Sequence, residues 1–307
     1  MCFLGLRKTN FLHDVPERDY AKLWGGLQKF AGQLAEIVPG LPTTSPVLIS
    51  GDWGSGKTTL LHAVQQKLKD ETATIWFDAW RYEGESALLP ALIRSVWLQT
   101  PSDLQQDEEA KGFFRTAWKC AVAVGIRAAP LVAKTAGIPF LPDLLEGVTA
   151  EAVEDDLNAV GSGRSIKPPP DPTELMWENF AKILRRGWEE HPVIILIDDL
   201  DRCSPENAVA LLGGVRILIN RSTHGDGTPD FLACRFMVAL DKRVMAQAIA
   251  KKFGGIDNYD GNRYLEKVFP LTFDVPIPRG REVGRLVGRF LQAFTLWEVL
   301  NCAHNWY

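Results

Sequence analysis

Two short segments carry residue types that together do phosphate chemistry. Gly51-Asp52-Trp53-Gly54-Ser55-Gly56-Lys57-Thr58 matches the pattern G-x-x-x-x-G-K-[ST]. Its glycines allow a backbone path that points several N–H groups at one phosphate, and a helix starting there adds partial positive charge. Lys57 is the expected contact to the β- and γ-phosphates, and the Thr58 hydroxyl the expected ligand to Mg²⁺. The nucleotide-contacting set is then Gly51, Asp52, Trp53, Gly54, Ser55, Gly56, Lys57, Thr58 and Thr59. The second segment, Asp198-Asp199, closes an apolar run. Asp198 stands where a carboxylate holds Mg²⁺, directly or through water, and Asp199 where many ATPases orient or deprotonate the attacking water. The alternative for Asp199 is a loop carboxylate with no catalytic part. Aspartate is shorter than the more usual glutamate, so a poor reach would give slow turnover and a switch-like protein.

Arginines supply the other charge that such a reaction uses, in cis or from a neighbouring subunit. Arg263, just before Tyr264-Leu265-Glu266-Lys267, is one candidate for catalysis. Arg202 is a second, although pairing with Asp201 or Asp199 to hold the loop is the favoured reading for it. Guanine specificity usually needs an N/T-K-x-D element after a late strand. The corresponding place reads Ala239-Leu240-Asp241-Lys242, so ATP is the expected nucleotide.

These residues need a strand, a turn and a helix to position them, and the hydrophobic pattern supplies each. Apolar residues Leu23, Leu27, Phe30, Leu34 and Ile37 have the spacing of an amphipathic helix over Asp19–Ile37. Pro46-Val47-Leu48-Ile49-Ser50 reads as a buried strand leading into the Gly-rich turn, and Leu60, Leu61, Val64 and Leu68 mark a helix after it. A second strand is expected over Ala73–Phe77, then a turn into a helix beginning near Ser86. Residues 192–197 are the most apolar run of the chain, without alternation, as in a central parallel strand covered on both faces. Ser204-Pro205-Glu206 opens the next helix, with Gly213-Gly214 a weak point in it. Arg235–Leu240 is the fourth strand, Asp241 the N-cap of a helix running to Phe253, and Val268–Val275 the fifth strand. Strands alternating with helices imply an α/β fold with a doubly wound parallel sheet of about five strands.

Between the second and third strands the character changes. Residues 101–170 lack strand signals, are alanine-rich in places, and end in Gly161-Ser162-Gly163 and Pro168-Pro169-Pro170. A helical insertion is expected here, with the core resuming at Asp171-Pro172-Thr173-Glu174, a capping-box start. The expected organisation is therefore 1–100 for an N-terminal helix and the first part of the core, 101–170 for the insertion and linker, 171–280 for the rest of the core, and 281–307 for a C-terminal helical segment. That last segment, apolar from Phe290 to Tyr307, either packs on the core or begins a longer region.

Composition narrows the class. The chain has 307 residues, 46% hydrophobic and 23% charged, with a net charge of -4. This argues against a general polyanion binder, so nucleic acid is not required by the charge pattern. Cys2, Cys120, Cys203, Cys234 and Cys302 are scattered without C-x-x-C spacing, which points away from a disulfide framework or a zinc site and toward a reducing, cytoplasmic setting. The N-terminus lacks a signal-peptide pattern.

Four segments in order resemble the KAP family of P-loop NTPases: the Gly51–Thr58 loop, Phe77-Asp78-Ala79-Trp80-Arg81-Tyr82, Ile197-Asp198-Asp199-Leu200-Asp201-Arg202-Cys203, and Tyr264-Leu265-Glu266-Lys267. The resemblance covers about residues 15–280. It implies an ATPase core of the additional-strand type with a helical insertion between strands 2 and 3, often linked in bacteria to mobile elements or phage defence. Lys57, Thr58 and Asp198 fall on that family's phosphate and Mg²⁺ positions. Many relatives carry transmembrane helices in the insertion. Here Arg115, Lys119, Arg127 and Lys134 interrupt the apolar stretch from Phe113 to Pro142, and Pro130 and Pro139 disturb long helices, so a spanning helix is not expected. Peripheral contact of a basic amphipathic surface with anionic lipid stays open.

Three functions compete. The favoured one is Mg²⁺-ATP hydrolysis driving a conformational or assembly switch with a protein partner or with further copies. The second is a non-catalytic nucleotide-binding scaffold or membrane-associated organiser. The third, a kinase, fits the insertion and the Asp198-Asp199 pair less well than water as acceptor.

Overall fold

The continuous apolar runs become strands because helices cover them from both sides. The computed structural model describes residues 16–85, 87–128, 172–188, 193–220, 234–253 and 260–284. Its strands are β1 (Val47–Ser50), β2 (Thr74–Asp78), β3 (Val193–Asp198), β4 (Cys234–Leu240) and β5 (Leu271–Asp274). They form one sheet in the order β2-β3-β4-β1-β5, with every pairing parallel. β4 therefore stands between the strand that leads into the Gly-rich turn and the strand that ends in Asp198. That interposed strand is the additional strand expected of this fold class.

Eight helices are described: α1 (Gly25–Ile37), α2 (Lys57–Leu68), α3 (Leu88–Leu98), α4 (Glu108–Ala128), α5 (Pro172–Gly187), α6 (Pro205–Asn220), α7 (Lys242–Lys252) and α8 (Gly261–Val268). Strand residues alternate between two cores, as a period of two requires. Leu48, Ile75, Phe77, Val193, Ile195, Ile197, Phe236 and Val238 pack on one face with residues of α3 to α8. Val47, Ile49, Ile194, Leu196, Met237 and Ala239 pack on the other with α1 and α2. All six residues of β3 are buried, which is why its sequence shows no polar alternation.

The described part of the insertion is not separate from that core. Ala110, Phe114, Ala117 and Ala121 of α4 are buried with Met176, Trp177, Phe180, Ile183 and Leu184 of α5 in the first core. At the sheet edge, the Gln99 side chain accepts from Trp76 N at 3.0 Å and donates to Trp76 O at 2.9 Å. An amide thus takes the place of a neighbouring strand and blunts the β2 edge.

Several expectations change in detail. The fifth strand starts at Leu271, not Val268, because Gly261–Val268 forms α8, capped by the Asp260 side chain accepting from Asn262 N. Gly213-Gly214 does not break α6, since burial of Leu211, Leu212 and Val215 around it outweighs weak propensity. The first helix is preceded by a short 3-10 turn, Tyr20–Lys22, capped by Asp19, and begins only at Gly25. Asp241 caps α7 as expected, accepting from Arg243 N and Val244 N. No helix among the described residues is long and apolar enough to cross a membrane. The Ser86 helix start, the linker and cap at 161–171, and the apolar segment 290–307 lie outside the described residues.

Candidate nucleotide site

β1 delivers the Gly-rich turn to the C-terminal edge of the sheet, and α2 starts at Lys57 immediately after it. The turn needs left-handed backbone at two places, Gly54 at φ 73° and Gly56 at φ 94°. Such angles are steric outliers for residues with a Cβ, so the glycines are there for conformation. A helix starting at this point leaves backbone N–H groups without intrahelical partners, and these are what an anion would meet.

Lys57 is buried and folded back over the turn. Its Nζ donates to Gly51 O at 2.9 Å and to Asp52 O at 3.3 Å, and lies 3.5 Å from Asp201 Oδ2. The Thr58 hydroxyl, one residue on, lies by the Asp198 carboxylate and favours its charged form. The loop lysine, the threonine and the β3 aspartate expected from the sequence are therefore brought together. Ser55 Oγ is buried in the loop without a protein partner.

Asp198 ends β3, paired in register with Asp78 of β2. It is buried, and its Oδ1 has no hydrogen-bond partner. Burial, then the neighbouring Asp199 charge, push its carboxyl up to about 6, partly offset by the Thr58 hydroxyl. A buried carboxylate with one oxygen free beside a threonine hydroxyl is the donor set that a hard cation takes. No group of three or more His, Cys, Asp or Glu side chains among the described residues is arranged to hold a metal alone. A cation there would need further ligands from phosphate and water, as Mg²⁺ commonly does.

Asp199 is the one described non-glycine residue at positive φ, 54° with ψ 29°. Aspartate tolerates that region better than most residues. Arg202 Nε sits 2.9 Å from its Oδ1. Arg202 in turn lies against two exposed tryptophans, 4.4 Å from the Trp53 ring centre and 5.2 Å from that of Trp80. The pairing with Asp199 is the loop-holding role favoured for Arg202 from sequence.

Residues 77–83 brace this loop from the side. Ala79 N donates to Asp198 O at 3.0 Å, and Glu83 Oε1 accepts from Ser204 N at 2.8 Å. These two contacts tie the segment to both ends of the aspartate loop. The Cys203 thiol beside them is pushed up by burial and then by Glu83, so it stays protonated.

Arg263 lies elsewhere. It is 84% exposed on α8, with Nε 3.7 Å from Asp260 Oδ2. That ion pair does not join it to Lys57 or Asp198.

Three site residues were not singled out from sequence: Asp201 against Lys57, Asp241 whose N–H reaches Asp201, and Arg243 whose guanidinium meets the Asp52 carboxylate. From sequence Asp201 stands only in the Ile197–Cys203 segment and as one of two partners for Arg202. Asp241 stood out as a helix cap. Nothing in local pattern points Arg243 at residue 52.

The model of the KAP family P-loop domain matches residues 27–293. The Phage T7 exclusion protein of Escherichia coli (strain K12) is 24% identical over 316 residues, covering 94% of this chain and 37% of that protein. An uncharacterized protein of Methanocaldococcus jannaschii is 27% identical over 172 residues, covering 50% of this chain and 87% of its own. Among solved structures, the Aeropyrum pernix ORC2 protein aligns with 88% of this chain and 54% of its own at 14% identity. Its TM-score of 0.38 is too low to carry an argument. The chain thus spans little more than a third of the length of the exclusion protein it matches.

Proposed function

The chain belongs to the KAP family of P-loop domains, and from that premise we propose that it binds Mg²⁺-ATP at Gly51–Thr58 and hydrolyses it to drive a switch. The observation that carries this reading is the buried, unpartnered Asp198 Oδ1 beside Thr58, one residue from a loop lysine. Lys57 turns from the loop carbonyls to the β- and γ-phosphates, while loop N–H groups and the start of α2 orient them. Thr58 and Asp198 are the residues that would hold Mg²⁺, whose charge would neutralise the phosphate oxygens. Asp199 accepts the proton of the attacking water at a carboxylate oxygen, oriented for that task by Arg202. Arg263, exposed on α8, serves a neighbouring copy rather than its own site.

The name of the Escherichia coli relative supports a biological setting in phage exclusion, with ATP state controlling assembly or a protein partner. Lys57→Ala is expected to abolish binding of labelled ATP and Mg²⁺-dependent phosphate release, and to lose any protection in plaque assays. Hydrolysis at the wild-type rate in that variant would remove the site. Asp199→Ala is expected to bind ATP and turn over slowly, and normal turnover would take Asp199 out of the mechanism. A second reading, a nucleotide-holding scaffold without turnover, is favoured by one observation: Arg202 already occupies the Asp199 carboxylate. Copurified ADP with no phosphate release, with or without partners, would select it.

A further inference from the structure

We propose that Asp201 is a positioning residue that competes with nucleotide for Lys57 and links the phosphate site to the first turn of α7. The proposal rests on the reading of Gly51–Thr58 as a nucleotide site. Asp201 Oδ2 does two things at once: it lies 3.5 Å from Lys57 Nζ and accepts the Asp241 backbone N–H at 2.8 Å. Both side chains of the ion pair are nearly buried, 9% and 11% exposed, and Asp201 Oδ1 is buried without a partner. Lys57 therefore has a resident anion, held in place by the β4–α7 junction.

Asp241 continues the path. Its N–H is held by Asp201, and its own carboxylate caps α7 by accepting from Arg243 N at 2.9 Å and Val244 N at 3.3 Å. The guanidinium of Arg243 returns to the Asp52 carboxylate in the Gly-rich loop. The start of α7 thus meets the loop at two points, through Asp201–Lys57 and through Arg243–Asp52.

An incoming phosphate meets this arrangement as a rival anion. It gains Lys57 only as Asp201 gives it up, and the nearby Asp201 charge repels it throughout. Asp201 therefore sets a threshold for occupancy, and its release from Lys57 leaves the Asp241 N–H as its remaining partner. A carboxylate with a merely structural role would weaken binding when altered. One that competes for the lysine has the opposite signature.

The test is Mg²⁺-ADP titration by calorimetry on the whole chain, with thermal unfolding alongside, for the wild type, Lys57→Ala, Asp201→Asn, Asp201→Ala and Asp201→Glu. Asp201→Asn keeps an acceptor for Asp241 N–H and removes the charge. It is expected to bind ADP roughly three- to tenfold tighter, the range of a modest charge interaction. Without nucleotide it is expected to unfold at a lower temperature than the wild type, because Lys57 has lost its counterion. Asp201→Ala is expected to bind more weakly than Asp201→Asn, and Asp201→Glu, which keeps the charge, not to bind tighter than the wild type. If the wild type binds ADP and Lys57→Ala does not, yet Asp201→Asn binds no tighter, the competition is overturned and the nucleotide site stands. If the wild type takes up no ADP, the site itself falls and this proposal with it.

Discussion

Arg202 grips Asp199, with Nε 2.9 Å from Oδ1, while its guanidinium lies over the rings of Trp53 and Trp80. Two consequences follow from one side chain. The base candidate is held in a single orientation, and that orientation depends on a tryptophan in the Gly-rich loop. A shift of that loop would therefore be felt at the carboxylate.

Arg202→Gln should separate these roles. Burial raises the Asp199 carboxyl above its ordinary range, and the charges of Asp78 and Asp201 push it further up, while Arg202 and then Lys57 pull it down. Removing the guanidinium therefore raises it again. The acidic limb of the turnover–pH profile should move to higher pH, with the loss of turnover greatest at the acidic end of the profile. ADP affinity should change little. An unmoved limb would show that Asp199 is not the group that titrates in turnover.

Glu83 gives a prediction about stability. Its Oε1 takes the N–H of Ser204 at 2.8 Å, just before α6, from a position far away in sequence. Glu83→Ala leaves that N–H without its acceptor and should cost about 1–3 kcal/mol in urea unfolding. Glu83→Gln keeps an acceptor and should cost less. Equal, negligible losses in both would show that water replaces the carboxylate there.

What could be read from the sequence was what local pattern encodes. β1 and β3 announce themselves as unbroken apolar runs, and the Gly51–Thr58 spacing names its own ligand class. The Asp241 cap and the Arg202–Asp199 pair were also within reach, since each joins near neighbours. α8 was missed because its eight residues lie between turn signals and run straight into the β5 pattern, where Val268 and Phe269 serve either reading. The contacts Asp201–Lys57 and Arg243–Asp52 were not legible at all. They join residues far apart in sequence, which only the strand order β3-β4-β1 brings together at one edge.

Gly261 tests the packing that seats α8. A Cβ there would lie 2.0 Å from Ala246 O and 2.7 Å from its carbonyl carbon, so the obstacle is α7 backbone rather than a side chain that could swing aside. Gly261→Ala must push α8 off α7, at a cost of about 2 kcal/mol or more. A melting temperature unchanged from the wild type would contradict the close approach. If Arg263 acts on a neighbouring copy, the same variant should also lose nucleotide-dependent turnover that depends on protein concentration.

Asp198 links stability to the site most directly. Its carboxyl titrates at about 6 in the folded chain, against 3.8 as the ordinary value, with burial the largest cause and the Asp199 charge the next. Below about pH 4 it is protonated folded or unfolded, and its contribution to stability is at its full value. As pH rises through about 6 the folded chain must ionise a buried acid that the unfolded chain ionised earlier. Stability is lost over that window, in total on the order of 3 kcal/mol. Asp198→Asn has no such acid and keeps the shape. Without ligand it should match the wild type near pH 4 and exceed it by about 1–3 kcal/mol at pH 7. Adding Mg²⁺-ADP at pH 7 should reverse the order, because a cation stabilises the wild-type carboxylate and finds no charge in the variant. Urea unfolding across pH 4–8, with and without Mg²⁺-ADP, measures both halves. Parallel curves for the two proteins would mean that Asp198 ionises freely in the fold, and the case for it as a cation ligand would lose its main support.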